Sequence, residues 1–531
     1  MRSFSLHIVA TAFFVGSIWG CSGPGNGDTS GASGGAGGEG ASGGSGAGTS
    51  SGGAGGGNTG GSGGGSSNLG GPFRYGMNFG HPNPNWSDPD DAFLSAEAGA
   101  NSARLKLPEG HLETWGYEIE VGDMKSYASL GMGEHIAFLT SPTAAHSTAP
   151  QGTPTWQLEY YAPTNLYEPV FLADGKINPN NYWGSYVYRT VSTYKEWVRT
   201  WEVWNEPDWV PNWQTSQSWE TNPPTKAELV RFNGSIFDYV RMLRVSTEAA
   251  KAADPQAKIA LGGIGYPSFL SAILRYTDNP ADGTKTADYP NTGAAYFDVV
   301  SFHSYPVFGP GSSDEGVAGF LDLRSELGKR LSDAGVQGKT FVVTETGAPH
   351  ISVGGAPGGA EYAPNYLVKV MVAAQAAGIE RIDWFCMSDG KPVGASTNSF
   401  DYMGTYLDVS ALGQTSQAVR TETGRAYRTL GTLLEGARID NTATSALALP
   451  SGADGKAFRL PDMRQALVLW AKTAGSSETA SVTYSIKTDK PMQVFALDYG
   501  ETGTMDQQSP TNGALEVQLA GTPRIYIEAT K

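Results

Sequence analysis

The sequence is poor in cysteine, in histidine and in positive charge. Only Cys21 and Cys386 occur in 531 residues, so the fold must gain its stability from packing rather than from disulfides. Thirty-six basic residues against 52 acidic ones give a net charge of −16, which repels polyphosphates and argues against a nucleic-acid partner. The 13 tryptophans and 24 tyrosines offer flat amphipathic faces that suit the rings of a neutral sugar.

Several motifs of metal, cofactor and serine chemistry are missing as well. The seven histidines form no HExxH pair, and the two distant cysteines offer no closed set of metal ligands. No phosphate-binding glycine loop precedes a helix, and no GxSxG motif marks a nucleophilic serine. The sequence therefore predicts neither a metal nor a cofactor.

The first 71 residues are predicted to serve export and attachment rather than folding. Residues 1–20 carry one early cation, Arg2, and a short apolar span, which is typical of a signal peptide. The stretch that ends at Cys21 resembles a bacterial lipoprotein signal, and the resemblance implies that Cys21 is lipidated and anchors the protein at the outer membrane or cell surface. Plain secretion is the alternative. Residues 21–71 are rich in Gly and Ser and are predicted to form a flexible linker.

Eight short apolar runs alternate with helical segments from Phe73 onward. The helical segments include residues 362–378, which place apolar side chains on one face, and a helix opened by Asp88 and Pro89 at its N-cap and first turn. The pattern predicts an α/β fold, a (β/α)₈ TIM barrel over residues 72–436. A doubly wound open sheet is the alternative, although it usually has fewer strands. The runs are 73–80, 101–107, 133–140, 200–207, 258–265, 297–306, 339–347 and 381–390.

Two further regions complete the predicted organisation. Residues 437–531 contain short alternating strands separated by turn signals, with no helix between them, which predicts a small all-β sandwich that braces the barrel. Residues 141–182 form a long insertion after the third strand, rich in Tyr, Trp, Pro and Asn. Insertions at that end of a barrel strand lie on the face where active sites occur.

Two glutamates end strands that should otherwise lie in the barrel wall. Glu206 closes the fourth run in WEVWNEP, and Glu345 closes the seventh in FVVTETG. The two carboxylates are therefore expected to face one cleft, where one could protonate a leaving oxygen while the other attacks the sugar carbon. The charge of the attacking group should raise the pKa of its partner, so that one of the two stays protonated until needed.

These motifs resemble the clan A glycoside hydrolases, retaining (β/α)₈ enzymes with Asn-Glu-Pro after strand four and a Glu at the end of strand seven. With its trailing sandwich, the chain looks most like family 39, with relatives in families 5, 30 and 51. Thr346 and Gly347 depart from the aromatic residue that many relatives carry there. The resemblance implies a set of site residues, with their roles: Glu206 as acid/base, Glu345 as nucleophile, Asn205 on the sugar 2-hydroxyl, Arg104 supporting the nucleophile, His303 and Tyr305 lining the subsite, and Trp384 under the reacting sugar.

The sequence thus predicts a retaining glycoside hydrolase that cleaves β-glycosidic bonds in a polysaccharide or oligosaccharide. Two alternatives stay open: a surface lipoprotein that binds carbohydrate without catalysis, and a transglycosylase on the same site. The identity of the glycan, endo or exo action and the oligomeric state are left undetermined by the sequence, because they depend on loop shape and surface complementarity.

Overall fold

The computed structural model describes residues 69–309 and 311–530, and its larger part is a closed barrel of eight parallel strands. Each strand overlaps one of the eight predicted apolar runs, with β4 and β8 beginning two residues earlier than predicted, so the predicted TIM barrel is confirmed. Strand β8 pairs with β1 and closes the ring. The strands are β1 Arg74–Gly80, β2 Ser102–Lys106, β3 His135–Leu139, β4 Val198–Val203, β5 Lys258–Ala260, β6 Val299–His303, β7 Thr340–Thr346 and β8 Ile379–Ser388.

Helices cover the outside of the barrel and connect its strands. They are α1 Asp88–Glu97, α2 Glu109–Trp115, α3 Val121–Ser129, α4 Tyr182–Tyr194, α5 Ile236–Ala253, α6 Pro267–Arg275, α7 Ser313–Asp333, α8 Tyr362–Ala376 and α9 Glu422–Leu434. Helix α8 matches the predicted segment 362–378, and Gly378 follows it with the positive φ of 71° that glycine tolerates. The predicted cap of α1 is corrected by one position: Ser87, not Asp88, is the N-cap residue, and its N–H donates to Asp90.

The barrel core is dense with large aromatic side chains. Trp183, Trp201, Trp204, Trp219 and Trp384 are all among the fully buried residues. Burying such a side chain contributes about 2–3 kcal/mol by transfer from water, so these five tryptophans stabilise the fold and are not available as sugar platforms. Among the described residues, no helix has the length and apolarity needed to cross a bilayer.

The C-terminal part is a sandwich of two antiparallel sheets, as predicted. Its strands are β9 Arg438–Ile439, β10 Ala453–Arg459, β11 Gln465–Ala471, β12 Ser481–Lys487, β13 Met492–Phe495, β14 Met505–Gln508, β15 Ala514–Ala520 and β16 Arg524–Glu528. A six-stranded sheet has the order β14-β13-β16-β11-β10-β9, and β12 and β15 form the second sheet. Two short helices, α10 Asn441–Ala446 and α11 Tyr499–Thr502, lie among these strands, where the sequence predicts none. Alternating side chains such as Leu467, Leu469 and Val517 form a separate core between the sheets.

A buried polar cluster joins the barrel to the sandwich. Lys369 of α8 is fully buried, and its Nζ lies 2.7 Å from Oδ2 of Asp314 in α7. The sandwich contributes Trp470, whose indole N–H donates to Asp314 at 2.8 Å, and Glu478, which accepts from Asn365 at 2.7 Å. We call these five residues the junction cluster. Because every charge in it has a partner, the cluster can be buried without the penalty of an isolated ion.

Candidate active site

Glu206 enters the mouth of the barrel through a turn directly after β4. Trp204 and Glu206 both adopt left-handed backbone conformations, with φ of 75° and 46°. The turn is fixed because the N–H of Glu206 donates to the carbonyl of Gly262 at 2.6 Å, while the buried indole of Trp204 donates to the carbonyl of Arg231 at 2.7 Å. Left-handed residues of this bulk are rare and concentrate at functional sites.

Glu345 lies next to the last residue of β7 and accepts two hydrogen bonds. Arg104 donates from Nη1 to Oε1 at 2.5 Å, and the phenol of Tyr305 donates to Oε2 at 2.7 Å. His303, the last residue of β6, lies between the two glutamates: its Nδ1 is 2.9 Å from Oε1 of Glu206 and 3.6 Å from Oε2 of Glu345. One ligand atom each from Glu206, His303 and Glu345 all lie within 4.8 Å of one another. The two carboxylates therefore face one cleft.

Arg104 of β2 donates hydrogen bonds to three side chains of the site. Besides Glu345, its guanidinium donates from Nε to Oε2 of Glu202 at 2.7 Å and from Nη2 to Oδ1 of Asn205 at 2.7 Å. Arg104 is 5% exposed and Glu202 is 0% exposed, so this pairing takes place away from water. The rigid fork of the guanidinium thereby fixes the amide of Asn205 and the carboxylate of Glu345 relative to each other.

Beneath the cleft, Glu202 accepts hydrogen bonds from hydroxyl groups of two neighbouring strands. Its Oε1 accepts from Ser301 of β6 and from Thr344 of β7, both at 2.8 Å. Thr344 Oγ1 is also 3.0 Å from Nε2 of His303. Gly263 leaves the space that this imidazole occupies, because a Cβ there would lie 2.2 Å from Nε2. The ring of His303 is therefore held at both nitrogens and on one face.

The electrostatics of the site favour an ionised Glu206 in the free protein. Burial by itself raises the pKa of Glu206, but the neighbouring Arg231 and His303 outweigh it and lower the pKa to about 2. Burial lowers the pKa of His303, but Glu345 and Glu206 hold it above its ordinary value. The expectation that the charge of Glu345 raises the pKa of Glu206 therefore needs correction, because Arg231 and His303 lower that pKa instead.

Six of the seven predicted site residues meet in the mouth, and the seventh does not. Trp384 of β8 is 0% exposed, donates its indole N–H to the carbonyl of Met403 at 3.1 Å and packs against Tyr366 of α8. Its neighbour Phe385 instead lies beside Tyr305, with ring centroids 6.3 Å apart. Successive side chains of a strand point to opposite faces, so Phe385, and not Trp384, presents an aromatic ring to the cleft.

Sequence reasoning also missed Arg231, which contacts Oε2 of Glu206 directly. Its guanidinium lies over the ring of Trp209, 4.4 Å from the centroid. Arg231 comes from the irregular segment between β4 and α5, where no periodic pattern predicts which way a side chain points.

Glu202, too, was missed. A charged residue inside an otherwise apolar strand was the signal that could have found it, since a buried carboxylate requires partners.

The insertion 141–182 lies at the same face of the barrel. Glu159, in its short 3₁₀ segment Thr155–Tyr160, pairs with Lys106 at the end of β2 at 2.6 Å. The carbonyl of Tyr160 accepts a hydrogen bond from Asn233 at 2.9 Å, near Arg231. The insertion therefore forms part of the rim around the cleft, as its position in the sequence predicts.

The site offers little to a metal ion. Glu206, His303 and Glu345 are close enough to share one, but Arg231 and Arg104 already contact the two carboxylates. A divalent cation would have to enter beside two guanidinium groups, and the repulsion between like charges opposes this.

Solved structures share this fold at low sequence identity. A family 39 glycoside hydrolase from Bacteroides cellulosilyticus matches with a TM-score of 0.58 and 16% identity, covering 86% of this chain and 81% of that one. The catalytic domain of a family 30 xylanase C from Talaromyces cellulolyticus matches with a TM-score of 0.51 and 12% identity over 87% and 97% of the two chains. A glucosidase from Croceicoccus marinus matches with a TM-score of 0.50 and 12% identity over 86% and 100%.

No family model matches the sequence, and none of the curated proteins matches it. The similarity therefore lies in the fold: the chain has a closed (β/α)₈ barrel followed by a β-sandwich, and it resembles these solved structures at 12–16% identity. Because one fold can support many reactions, the argument for a function must rest on the residues in the cleft.

Proposed function

We propose that the protein is a retaining glycoside hydrolase that cleaves β-glycosidic bonds in a polysaccharide or oligosaccharide. The observation that carries the proposal is the approach of the two strand-end carboxylates, whose oxygens lie within 4.8 Å of each other. Carboxyl groups about 5 Å apart suit a nucleophile that attacks the sugar directly, whereas inverting enzymes leave about 6.5–9.5 Å for a water molecule.

The proposed reaction has two displacements at one carbon. Glu345 attacks the anomeric carbon and forms an ester to the sugar, while the glycosidic bond breaks and its oxygen takes a proton delivered by Glu206. In the second step Glu206 removes a proton from water, and the resulting oxygen displaces Glu345 from the sugar carbon. The two inversions return the original β configuration and regenerate both carboxyl groups.

The surrounding contacts support these two roles. Arg104 and Tyr305 donate hydrogen bonds to Glu345, which aim its carboxylate at one position. Asn205 is held by Arg104 beside the same carboxylate, where its amide can reach a sugar hydroxyl. The pairing of Arg104 with Glu202 prevents rotation of the guanidinium, so the nucleophile is positioned before substrate arrives.

A substrate panel with two variants tests the proposal. The full chain is incubated with aryl β-glycosides and polysaccharides, and NMR records which anomer forms first. We expect β-configured sugar from at least one substrate. Glu345→Ala should lose the reaction, and added azide should then give the α-glycosyl azide. Glu206→Ala with azide should give the β-glycosyl azide, because azide attacks the glycosyl-enzyme. Full hydrolysis by both variants, or glycan binding without turnover by the wild type, contradicts the proposal.

The predicted export and lipid anchor form a separate part of the proposal. Cys21 and the signal segment lie outside the described residues, so their support comes from the sequence pattern alone. We propose that acylation of Cys21 attaches the enzyme to the outer membrane or cell surface, with the 21–71 segment as a tether. The wild type should partition into a detergent phase after expression in a Gram-negative host, and Cys21→Ser should partition into water. Equal partitioning of the two contradicts the anchor.

A further inference from the structure

The proton required by the first chemical step has no obvious holder in the free protein. Glu206 is paired with Arg231 through Oε2 and faces His303 through Oε1. A carboxylate so paired favours its ionised form. The inference below rests on the proposed hydrolase function and concerns where its acid proton is kept.

Hydrogen-bond accounting below the imidazole fixes which nitrogen of His303 carries hydrogen. Four close polar contacts link this region: Ser301 to Glu202, Thr344 to Glu202, Ser301 to Thr344 at 2.6 Å, and Thr344 to Nε2 of His303. The two hydroxyls supply only two hydrogens, and an ionised carboxylate supplies none. If Nε2 carries no hydrogen, two hydrogens serve four contacts, and two of the contacts are left with lone pairs facing each other. If Nε2 carries a hydrogen, three hydrogens serve the four contacts, and only one such repulsive contact is left. The network therefore favours hydrogen on Nε2.

The other nitrogen, Nδ1, then faces carboxylate oxygens. Nδ1 lies 2.9 Å from Oε1 of Glu206 and 3.6 Å from Oε2 of Glu345. A neutral ring with hydrogen on Nε2 would aim a bare lone pair at these oxygens, which is repulsive. A hydrogen must therefore lie in the contact between Nδ1 and Glu206, and the ion pair of Arg231 on the same carboxylate places it on the ring.

The balance of charges in the site also favours hydrogen on both nitrogens of His303. Three carboxylates, Glu202, Glu206 and Glu345, face two guanidiniums, Arg104 and Arg231, in a largely buried cluster. A neutral His303 would leave one uncompensated negative charge there, whereas an imidazolium balances the cluster. Burial of an unbalanced charge is costly. The remaining group close to the ring, the phenol of Tyr305, stays neutral because burial and Glu345 hold its pKa well above the ordinary value.

We propose that His303 holds the acid proton of this site on Nδ1, and that Glu206 passes this proton to the leaving oxygen. In the first step the hydrogen moves from Nδ1 to Oε1 and then to the oxygen of the breaking C–O bond, which leaves His303 neutral with hydrogen on Nε2. In the second step a proton from water returns by the same route. Glu206 and His303 act as one proton-holding pair, and Thr344 is the positioning residue that selects the nitrogen.

Nitrogen-15 NMR of the full chain labelled in its histidine rings tests this without requiring turnover. The His303 signals are assigned from their loss in His303→Asn, with His111→Asn, at a half-buried histidine paired with Glu120, as the matched control. We expect both ring nitrogens of His303 to carry hydrogen at pH 7, above the ordinary histidine pKa of about 6.5. A neutral ring, with hydrogen on only one of its two nitrogens, overturns the inference, even if the protein hydrolyses glycosides.

Steady-state kinetics give a second test, because loss of a histidine with only a structural role would lower kcat/KM equally for good and poor leaving groups. His303→Asn keeps a donor near Glu206 but cannot hold a mobile proton. We expect kcat/KM for a glycoside with a poor leaving group to fall about 100-fold or more, the usual contribution of general acid catalysis. A dinitrophenyl glycoside, whose leaving group needs no proton, should lose less than about tenfold. An equal loss on both substrates overturns the inference.

The positioning role of Thr344 is tested by a conservative pair of variants. Thr344→Val removes the acceptor of the Nε2 hydrogen, so the imidazolium is less stable and the alkaline limb of kcat/KM should move to lower pH. Thr344→Ser restores the hydroxyl and should restore the limb. An identical alkaline limb in both variants contradicts this role. If no substrate is cleaved by the wild type, the proposed hydrolase function fails, while the NMR result still decides where the proton lies.

Discussion

Two of the buried charge clusters among the described residues, the junction cluster and the mouth of the barrel, differ in how their partners are shared. In the junction cluster, Asp314 has Lys369 and Trp470 as separate donors to its two oxygens, and Glu478 has donors of its own. In the mouth of the barrel, Glu206 and Glu345 approach one imidazole from two sides. Each of these glutamates also has a guanidinium partner of its own. What distinguishes the mouth is the shared group, because an imidazole can release a proton near neutral pH. Lys369 of the junction, which lies 4.0 Å from Glu478 as well as close to Asp314, holds two domains together instead.

The comparison predicts that loss of a charge lowers mainly the activity when it occurs at the mouth and mainly the stability when it occurs at the junction. Glu345→Gln, at the mouth, should lower kcat/KM by on the order of 10³-fold or more, because the amide cannot attack the sugar carbon. Its unfolding midpoint should fall less than that of a junction variant, since the side-chain oxygen can still accept a hydrogen bond from Tyr305 and His303 can lose its proton to keep the charges of the cluster balanced. Steady-state kinetics and thermal unfolding measure the two effects. A large loss of stability with activity retained would reverse the assignment of the clusters.

The junction should show the reverse behaviour. Lys369→Met removes the cation that is fully buried beside Asp314, which should lower the free energy of unfolding by about 3 kcal/mol by leaving a carboxylate unpaired. Lys329→Met is the matched control, because its pair with Asp333 lies on the surface and should cost less than about 1 kcal/mol. Denaturant unfolding measures both, and the activity of the folded fraction should be unchanged. Equal costs for the two variants contradict a stabilising junction.

The pairing of Arg231 with Glu206 should appear in the pH dependence of stability. The pKa of Glu206 is lowered from 4.5 to about 2, so its contribution is fully present above about pH 4.5 and is lost as the pH falls toward 2. In Arg231→Met the pKa should rise and this loss should shrink, which makes the stability curve shallower between pH 4.5 and 2. Acid unfolding monitored by tryptophan fluorescence tests it. Parallel curves for wild type and variant would show that the ion pair does not hold Glu206 ionised.

A smaller effect is expected from a single hydroxyl of the junction. Thr473→Val keeps the shape of the side chain but removes the hydrogen bond from Oγ1 to Oδ2 of Asp314, which is 2.7 Å long. The backbone N–H of Thr473 still donates to the same oxygen at 2.8 Å, so the loss should be about 1 kcal/mol in denaturant unfolding. A loss as large as that of Lys369→Met would mean that the hydroxyls, and not the lysine, dominate the junction.

Most of the fold could be predicted from the sequence because its signals are local. Strands buried on both faces read as apolar runs, and all eight were found at their places in the barrel. The convergence of Glu206 and Glu345 also followed from the sequence, since the C-terminal ends of parallel barrel strands open at one face.

The remaining parts of the site depend on information that is not local. Trp384 was assigned to the cleft from a family resemblance, but strand alternation places Phe385 there. Arg231 reaches Glu206 from a segment without periodicity, 25 residues further along the chain. The junction cluster joins two separately predicted domains, and no pattern within either domain indicates which residues meet.

The most direct test of the central claim is to trap the covalent intermediate on the nucleophile. The full chain is treated with a 2-deoxy-2-fluoro-β-glycoside of the sugar that it cleaves and that carries a good leaving group, and its peptides are mapped by mass spectrometry. The account predicts a mass increase of one fluorosugar on Glu345, absent from Glu345→Gln. Attachment to a different residue, or continued turnover with an unmodified Glu345, would contradict the proposed two-glutamate mechanism.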